Sequence, residues 1–328
     1  MKYRRLGKTE LQISEISLGT WQVGGKWGTG FDHDNADKIL HQAIDEGINF
    51  IDTADVYENG ESEIAVGRVV NQRSEEIYIA TKCGRHIVPQ VNEGYTPQVL
   101  RSYVEDSLKR LNRDWIDLIQ LHCPPTEVFY RPEIFGLFER LKEEGKIRNL
   151  GVSVEKVEQA LKAIEYSHVA SVQIIYNMFR QRPADYFFDL AAAKDVGLII
   201  RVPLASGLLT GAYSKDTSFS EGDHRHGNRD GEWFDRGETF AGVPYDIGLE
   251  AVRQIKALFP ACKNLAPIAL QWILQSNEVS CIIPGVSRAE QLVSNLSYAE
   301  MDSISSSQLA ELDQIYETLI KPHVHHYW

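Results

Sequence analysis

The sequence predicts an α/β protein, a single domain over residues 1–328 that forms a closed (β/α)8 barrel of the TIM type. Eight short apolar runs alternate along the chain with helix-length amphipathic stretches. Runs such as 77–80 and 198–200 are apolar throughout, which is typical of parallel strands buried on both faces. Eight strands with helices between them favour a closed barrel over an open sheet, and 328 residues suit one barrel with extra loops.

Each element has its own local signals. Strands are predicted at residues 16–19, 49–52, 77–81, 116–121, 149–152, 171–175, 198–202 and 280–283. Helices are predicted at residues 36–46, 98–111, 133–144, 184–195 and 268–275, and a glycine follows the first, third and fourth of them closely. Thr96 as N-cap and Pro97 as first helical residue open the second helix, and Pro267 opens the last.

Two segments fall outside this alternation. Residues 2–13, with Gly7 and Lys8 at a turn, predict an N-terminal β-hairpin placed to plug the barrel floor. Residues 214–242, after the seventh strand, are polar and predict an extended, solvated loop. Residues 323–328, which hold three histidines and Trp328, are expected at the surface or at the rim of a cleft.

Composition excludes several classes of function. Hydrophobic residues make up 43% and charged residues 24% of the chain, as in folded, soluble proteins. The net charge of −12 argues against nucleic acid as a partner, and no apolar run reaches the roughly 18 residues of a membrane span. The scattered cysteines at positions 83, 123, 262 and 281 and the lack of a signal-like apolar start predict a cytoplasmic protein with reduced thiols. No pattern specifies an oligomeric state.

Three neighbouring predicted strands carry polar side chains to one rim. The second strand ends in Asp52 with Tyr57 in the next loop, the third ends beside Lys82, and the fourth ends beside His122. Active sites of α/β barrels form at the carboxyl ends of the strands. Alone, each residue has a structural interpretation: a cap or salt bridge for Asp52 and Lys82, packing for Tyr57, and a core histidine for His122. Together, four such residues at one rim favour catalysis.

The chemistry of these four residues fits carbonyl reduction. A free tyrosine has a pKa near 10, and an ammonium within about 4–6 Å is expected to lower that pKa. Lys82 can supply the cation, Asp52 can hold it, and His122 can donate to an oxygen that gains negative charge. Tyr57 then protonates the carbonyl oxygen while a hydride reaches the carbon. A metal-dependent hydrolase built on Asp52 and His122 is the rival, but the sequence has no convincing ligand spacing, and no metal is predicted.

The sequence resembles the aldo-keto reductase family, in a longer-loop, prokaryotic-type form, over nearly its whole length. The matching runs are LGTW at 18–21, IDTA at 51–54, ESE at 61–63, ATK at 80–82, DWIDL at 114–118, QLH at 120–122, GVS at 151–153, GLLTG at 207–211 and IPG at 283–285. The separations are 5 residues from Asp52 to Tyr57, 25 from Tyr57 to Lys82 and 40 from Lys82 to His122. Each run alone is weak evidence, but their shared order along one chain is specific.

The resemblance implies that Asp52, Tyr57, Lys82 and His122 are the catalytic tetrad of an NADPH-dependent reductase whose partner is a small carbonyl substrate. It also implies an extended nicotinamide cofactor across the barrel mouth, with its carboxamide on Ser153 and Gln173 and its pyrophosphate at the loop after the seventh strand. The implied cofactor-binding residues are Thr20, Trp21, Ser153, Gln173, Arg201, Pro203, Leu204, Ser206, Gly207, Leu209, Lys215, Arg225, Gly285, Ser287, Arg288, Gln291 and Asn295.

Three features depart from the family pattern. Val154 stands where an asparagine usually donates to the carboxamide, and Arg201 stands where an aromatic ring usually stacks on the nicotinamide. A guanidinium can also stack, but its charge disfavours the oxidised, cationic ring. Gly285 and Gln291 replace frequent cations, which leaves Ser287 and Arg288 to meet a 2′-phosphate. We therefore expect NADP as cofactor, with NAD as the alternative.

Specificity is expected to lie in the loops at 21–31, 122–131 and 214–242, whose aromatic residues predict an apolar cleft for small aldehydes or ketones, lined by Trp21 and Trp27. In the last loop, Lys215 or Arg225 would touch the pyrophosphate, and Asp223, His224 and His226 offer a weak metal motif. The alternative function is a regulatory barrel of the same fold that binds the cofactor with little turnover.

Overall fold

The computed structural model of the protein describes residues 1–25 and 30–328. Within that part of the chain, an antiparallel hairpin of β1 (Tyr3–Arg5) and β2 (Gln12–Ser14) precedes eight parallel strands. These are β3 (Leu18–Gly19), β4 (Phe50–Asp52), β5 (Tyr78–Cys83), β6 (Ile116–His122), β7 (Ile147–Ser153), β8 (Val169–Ile175), β9 (Gly197–Arg201) and β10 (Val279–Ile282). Each strand pairs with the next one along the chain, and all eight predicted strands are confirmed to within a few residues.

Helices lie between the strands and after β10. They are α1 (His33–Asp45), α2 (Glu61–Val70), α3 (Pro97–Leu111), α4 (Pro132–Glu143), α5 (Val157–Ala163), α6 (Pro183–Ala193), α7 (His224–Gly227), α8 (Tyr245–Leu258), α9 (Ala266–Leu274), α10 (Ala289–Leu296), α11 (Ser306–Ile315) and α12 (Lys321–Val324). The five predicted helices correspond to α1, α3, α4, α6 and α9. The Thr96 side chain accepts a hydrogen bond from the Val99 amide at 3.3 Å, which confirms the predicted N-cap. No helix in the described residues is both long and apolar enough to cross a membrane.

The sheet closes where its first and last strands meet. The Ser17 amide donates to the Ile282 carbonyl at 2.9 Å, and the Ile282 amide donates to the Glu15 carbonyl at 3.0 Å. Two residues after Ser17, Gly19 forms a parallel β-bridge with Gly285. A Cβ atom on Gly19 would come within 2.8 Å of the Ile283 carbonyl oxygen, so the seam requires glycine there. The predicted closed barrel is confirmed.

The inward side chains form a floor and a rim. Near the amino ends of the strands, Phe50, Ala80, Leu118 and Ile199 form a fully buried cluster with Leu6 and Ile13 of the hairpin. The predicted hairpin plug is therefore correct. Because successive side chains of a strand point to opposite faces, the residues two or four positions onward point inward at the other end of the barrel.

The segment after β9 is long, as predicted, and most of residues 214–222 and 229–233 are exposed, but the prediction that it is solvated is wrong at residues 223–224, 228 and 237–242. His224, Asn228, Glu238 and Phe240 are buried, because the chain returns across the barrel mouth. Asp223 accepts a hydrogen bond from the Arg225 amide at 2.9 Å and caps α7, which gives this carboxylate a structural partner in place of a metal.

Candidate active site

The carboxyl ends of β4, β5 and β6 bring the predicted catalytic side chains together. Asp52 and Lys82 are fully buried and Tyr57 is half-buried. Lys82 Nζ donates to Asp52 Oδ1 at 2.5 Å, to the Thr53 carbonyl at 2.8 Å and to the Tyr57 hydroxyl oxygen at 3.0 Å. An ammonium has three protons to donate, so all of them are engaged and the amine is fixed against the phenol.

The second oxygen of Asp52 is also fully engaged. It accepts hydrogen bonds from Gln120 Nε2 at 2.9 Å and from Gln173 Nε2 at 2.8 Å. Gln120 was not among the predicted site residues. It is a polar residue in an apolar strand, two positions before His122 and hence on the same face, and this pattern could have revealed it.

Burial and charge act in opposite directions on the pKa values of this cluster. Burial alone would lower the pKa of Lys82, but the Asp52 carboxylate and the Tyr57 oxygen raise it above its usual value, so the amine stays charged. Burial raises the pKa of Tyr57 above 10.0, and Lys82 offsets this only in part. Lys82 thus lowers the pKa of Tyr57 as predicted, but the net shift is upward because loss of hydration outweighs the neighbouring cation.

His122 completes the group from β6. Its ring centroid lies 6.1 Å from that of Tyr57, in an edge-on arrangement. Burial, with Arg85 and Lys82 nearby, holds the pKa of His122 well below 6.5, so the imidazole is neutral. Its Nδ1 has no hydrogen-bond partner among the described residues. A neutral imidazole can donate a hydrogen bond to a substrate oxygen without supplying the proton that is transferred.

A cavity of about 850 Å³ extends from this group across the barrel mouth. Asp52, Tyr57 and His122 line one end of it. The predicted cofactor-binding residues that also line it are Thr20, Trp21, Gln173, Arg201, Pro203, Leu204, Ser206, Gly207, Arg225, Gly285, Arg288, Gln291 and Asn295.

Other predicted residues lie elsewhere. Lys82 lies behind Tyr57, and Ser153, Leu209 and Ser287 lie outside the lining. Lys215 borders a separate shallow hollow with Asp246 and Arg253, because the turn at 214–217 carries it to the outer surface. Trp27 lies outside the described residues.

The loop after β9 has a strained backbone beside the cavity. Val202, Ala205 and Ser206 have φ values of 53°, 46° and 56°, and Gly207 has 90°. A left-handed conformation is rare for a β-branched residue and costs of order 1–3 kcal/mol. Asn177 Nδ2 donates to the Val202 carbonyl at 2.9 Å and holds the turn. Strain of this kind is concentrated at ligand-binding sites, and the turn lines the cavity.

Two of the cations that line the cavity stand just before helices. Arg288 precedes α10, and Lys263 precedes α9. Gln291 Oε1 accepts hydrogen bonds from the Ser287 and Arg288 amides at 2.8 and 3.2 Å, so Gln291 fixes the start of α10. Lys263 was missed because it stands outside the motif run that drew attention to Arg288.

Arg201 lies within a buried ionic network. Its NH2 group donates to Glu155 Oε2 at 2.9 Å and to the Val154 carbonyl at 3.0 Å, and its NH1 group lies 3.5 Å from Glu238 Oε1. Glu238 also accepts a hydrogen bond from Arg85 at 3.0 Å. Glu155 and Glu238 therefore offset the positive charge of Arg201, which the sequence left without a predicted partner.

Three members of this network were not predicted. Arg85 and Glu155 stand two residues after the ends of β5 and β7, so inspection of the residues that follow every strand could have found them. Glu238 lies in the long loop between β9 and α8, where no sequence motif marks it as a site residue. Ligand atoms of Cys123, Glu155 and Glu238 lie within 4.8 Å of one another, as in a metal site. The Arg201 guanidinium contacts Cys123 Sγ at 3.6 Å and both carboxylates, and thus supplies the positive charge among them.

An α/β barrel with a lysine-bound tyrosine and a neutral histidine beside a cavity of about 850 Å³ is typical of a class of barrel oxidoreductases. The family model for the aldo/keto reductase family matches residues 15–317, and the chain belongs to this family. It is an NAD(P)H-dependent oxidoreductase, and the family uses NADP(H).

Named relatives cover nearly the same length. The chain is 28% identical to the NADH-specific methylglyoxal reductase of Escherichia coli (strain K12), over 95% of this chain and 99% of that protein. It is 29% identical to the uncharacterized oxidoreductase YqkF of Bacillus subtilis (strain 168), over 95% of both. The structure of the glycerol dehydrogenase AKR11B4 from Gluconobacter oxydans superposes with a TM-score of 0.78 at 30% identity, covering 99% of this chain and 96% of that one.

Proposed function

We propose that this protein, acting as one barrel domain, reduces the carbonyl group of small aldehydes or ketones with NADPH, and that Tyr57 is the general acid. The contact that carries the proposal is the 3.0 Å hydrogen bond from Lys82 to the Tyr57 hydroxyl at the cavity wall. A buried salt bridge alone would explain Asp52 and Lys82, but it would not require a phenol whose oxygen meets the amine beside a cavity.

The cavity fits an extended dinucleotide. Its lining includes the catalytic residues, the strained turn at 202–207 and Arg288. We assign the pyrophosphate to Ser206 and Gly207 and the carboxamide to Gln173, all of which line the cavity. When bound, the nicotinamide supplies a hydride to the substrate carbon.

The protein side chains manage the proton and the charge. Tyr57 donates its hydroxyl proton to the substrate oxygen, and Lys82 stabilises the phenolate that remains. Neutral His122 donates a hydrogen bond to the same oxygen as negative charge develops on it. Trp21 and Phe234, whose ring centroids lie 6.2 Å apart, form an aromatic wall that limits the access of water.

Substitution of Tyr57 by phenylalanine tests the general acid. We expect Tyr57→Phe to lower kcat for NADPH-dependent aldehyde reduction by about 10²–10⁴, because one proton-transfer step is lost. Cofactor binding, measured by fluorescence titration, should change by about twofold or less. Tyr186→Phe, at a tyrosine on α6 that is 62% exposed, is the control. Reduction by Tyr57→Phe at the parental rate would assign the proton to another group.

The names of two relatives suggest the class of substrate that we propose for this protein. One relative is named a methylglyoxal reductase and another a glycerol dehydrogenase, so we propose small oxygenated aldehydes and ketones as substrates. A panel of such carbonyls, followed by NADPH absorbance, identifies the preferred one. A parent protein that binds the cofactor but reduces none of them would instead favour the regulatory alternative.

Arg288 tests the choice of NADP. Because a hydrogen bond to a charged group is worth about 1.5–3 kcal/mol, we expect Arg288→Met to weaken NADPH binding by about tenfold or more. NADH binding, which involves no 2′-phosphate, should change by about twofold or less. Arg253→Met, at an exposed arginine on α8, is the control. Equal weakening of both cofactors would place the 2′-phosphate elsewhere, with Lys263 as the next candidate.

A further inference from the structure

The residues 223–242, here named the mouth segment, complete the cavity wall from outside the barrel. Four of them line the cavity: His224, Arg225, Phe234 and Glu238. Glu238 joins the segment to the barrel, because its carboxylate accepts from Arg85 and lies beside Arg201. Its carbonyl also accepts a hydrogen bond from Ser206 at 2.9 Å.

The turn that carries Glu238 is held from its outer side by Trp328. The indole is 3% exposed, and its Nε1 donates to Asp235 Oδ1 at 3.0 Å. Asp235 in turn accepts from the Gly237 amide at 2.7 Å and caps the turn Arg236–Glu238. The hydrogen bond of the indole is therefore made to the cap of this turn.

The indole also packs directly on the backbone of the mouth segment. A Cβ atom on Gly242 would lie 2.3 Å from the indole Cη2, and one on Gly237 would lie 2.9 Å from Cε2. On the barrel side, the Arg180 guanidinium carbon lies 4.1 Å from the ring centroid. The ring thus fills the space between two glycines of the segment and an arginine of the barrel.

The 321–328 segment is attached to the barrel independently of the mouth segment. His325 Nε2 lies 2.9 Å from Asp185 Oδ2 on α6, and the Tyr316 hydroxyl lies 2.8 Å from His325 Nδ1. Val324 is buried. The residues before Trp328 are therefore held against the barrel by contacts of their own. Trp328 itself is buried, which corrects the sequence prediction that placed it at the surface or at a cleft rim.

We propose that Trp328 is a positioning residue, which fastens the mouth segment across the cavity and thereby holds Glu238 between Arg85 and Arg201. Without the indole, the turn loses its packing partner and the external hydrogen bond to its cap. Arg85 and Arg201 then lose a shared acceptor at the catalytic end of the cavity. The kinetic part of this proposal rests on the proposed reductase function.

Limited proteolysis tests the fastening without requiring any activity. Trypsin can cleave the mouth segment after Arg225, Arg229 and Arg236. We expect Trp328→Ala to raise the initial cleavage rate in this segment at least tenfold over the parent protein, as measured by mass spectrometry. Trp115→Ala removes a tryptophan at the opposite end of the barrel and should leave the rate within about twofold. Equal rates in the two variants would overturn the proposal.

Steady-state kinetics test the consequence for the cavity. We expect Trp328→Ala to raise KM for the carbonyl substrate at least fivefold with kcat within about threefold, because Tyr57 and Lys82 are untouched. Glu238→Gln should raise KM similarly while the segment stays resistant to trypsin. A loss of kcat with unchanged KM would contradict the positioning role.

Milder variants cover the case in which Trp328→Ala does not fold. Trp328→Phe keeps most of the packing but loses the Nε1 proton, and Asp235→Asn keeps one oxygen to accept it. Both variants should be cleaved by trypsin faster than the parent protein and more slowly than a protein whose mouth segment is detached. Parental rates in both would mean that the hydrogen bond from Trp328 to Asp235 does not hold the segment. If the parent protein shows no turnover, the proposed function fails, while the cleavage result still decides the role of Trp328.

Discussion

Tyr57 depends on a neighbour that is itself held by a third residue. The Lys82 ammonium donates one hydrogen bond to the Tyr57 hydroxyl, one to Asp52 and one to the Thr53 carbonyl. Because burial favours the protonated phenol, Tyr57 holds its proton at neutral pH. In the mechanism that we propose, Lys82 would act after proton transfer, by stabilising the phenolate that remains.

Lys82 is therefore expected to affect both stability and rate. Lys82→Met leaves the buried Asp52 carboxylate without its counter-ion, which should cost about 3–5 kcal/mol of unfolding free energy in urea titrations. It should also lower kcat at least as much as Tyr57→Phe.

The double variant Asp52→Asn/Lys82→Met separates these two effects. Removal of both charges should restore most of the stability, because no unpaired carboxylate remains. It should not restore turnover. Recovery of reductase activity in the double variant would show that Lys82 serves only to balance Asp52.

At the scale of the element, the loop from β4 to α2 carries an unusual carboxyl group. Asp55 is buried, and neither of its carboxylate oxygens has a hydrogen-bond partner among the described residues. Burial, reinforced by the nearby Glu63 carboxylate, raises the pKa of Asp55 from 3.8 to about 7. The native protein therefore holds this proton more tightly than the unfolded chain does.

This shift gives a signed pH dependence of stability. Below about pH 4 both states hold the proton, so the contribution of Asp55 is fully present. It declines as the pH rises towards 7, by up to about 4 kcal/mol, since each tenfold change in proton affinity is worth about 1.4 kcal/mol. Asp55→Asn should abolish this decline.

Urea titrations of the parent and the variant between pH 4 and pH 8 measure the difference. The stability of the variant is subtracted from that of the parent at each pH, because burial also raises the pKa of Glu155 to about 7 and Glu155 contributes to both curves. Parallel curves for Asp55→Asn and the parent would mean that the Asp55 carboxyl is solvated in solution.

Strand ends were predictable from the sequence, and so were the residues that stand on them. Apolar runs place Asp52, Lys82 and His122 at one rim, because a parallel strand imposes both direction and alternation. Glu238 was not predictable in this way, because it stands on a turn of a long loop that packs against Trp328, a residue far away along the chain. The sign of the pKa shift of Tyr57 was also missed, because it is a balance of burial against charge that needs coordinates.

At the scale of the whole molecule, the residues that stabilise the fold and the residues proposed for catalysis lie at opposite ends of the barrel. The floor is an apolar plug of the hairpin against four strands, and the mouth is a network of buried charges and strained turns. Barrels of this type tolerate strained and charged mouths because the closed sheet and its packed interior supply the folding free energy.

This separation predicts opposite phenotypes at the two ends. Leu6, fully buried in the floor, lies at the far end from Tyr57. Leu6→Ala should lower the unfolding free energy by about 2–5 kcal/mol, as cavity-forming substitutions do. It should leave kcat/KM within about twofold at a temperature where both proteins remain folded.

Urea unfolding and initial-rate kinetics on the same preparation measure both quantities. Leu11→Ala is the control, since Leu11 packs against the same cluster but is only partly buried, and its smaller loss of apolar contact should cost less. A tenfold fall in kcat/KM for folded Leu6→Ala would show that the floor transmits its packing to the Asp52–Lys82 pair through β4 and β5. The barrel would then act as one mechanical unit, with a floor that helps to set the geometry of its mouth.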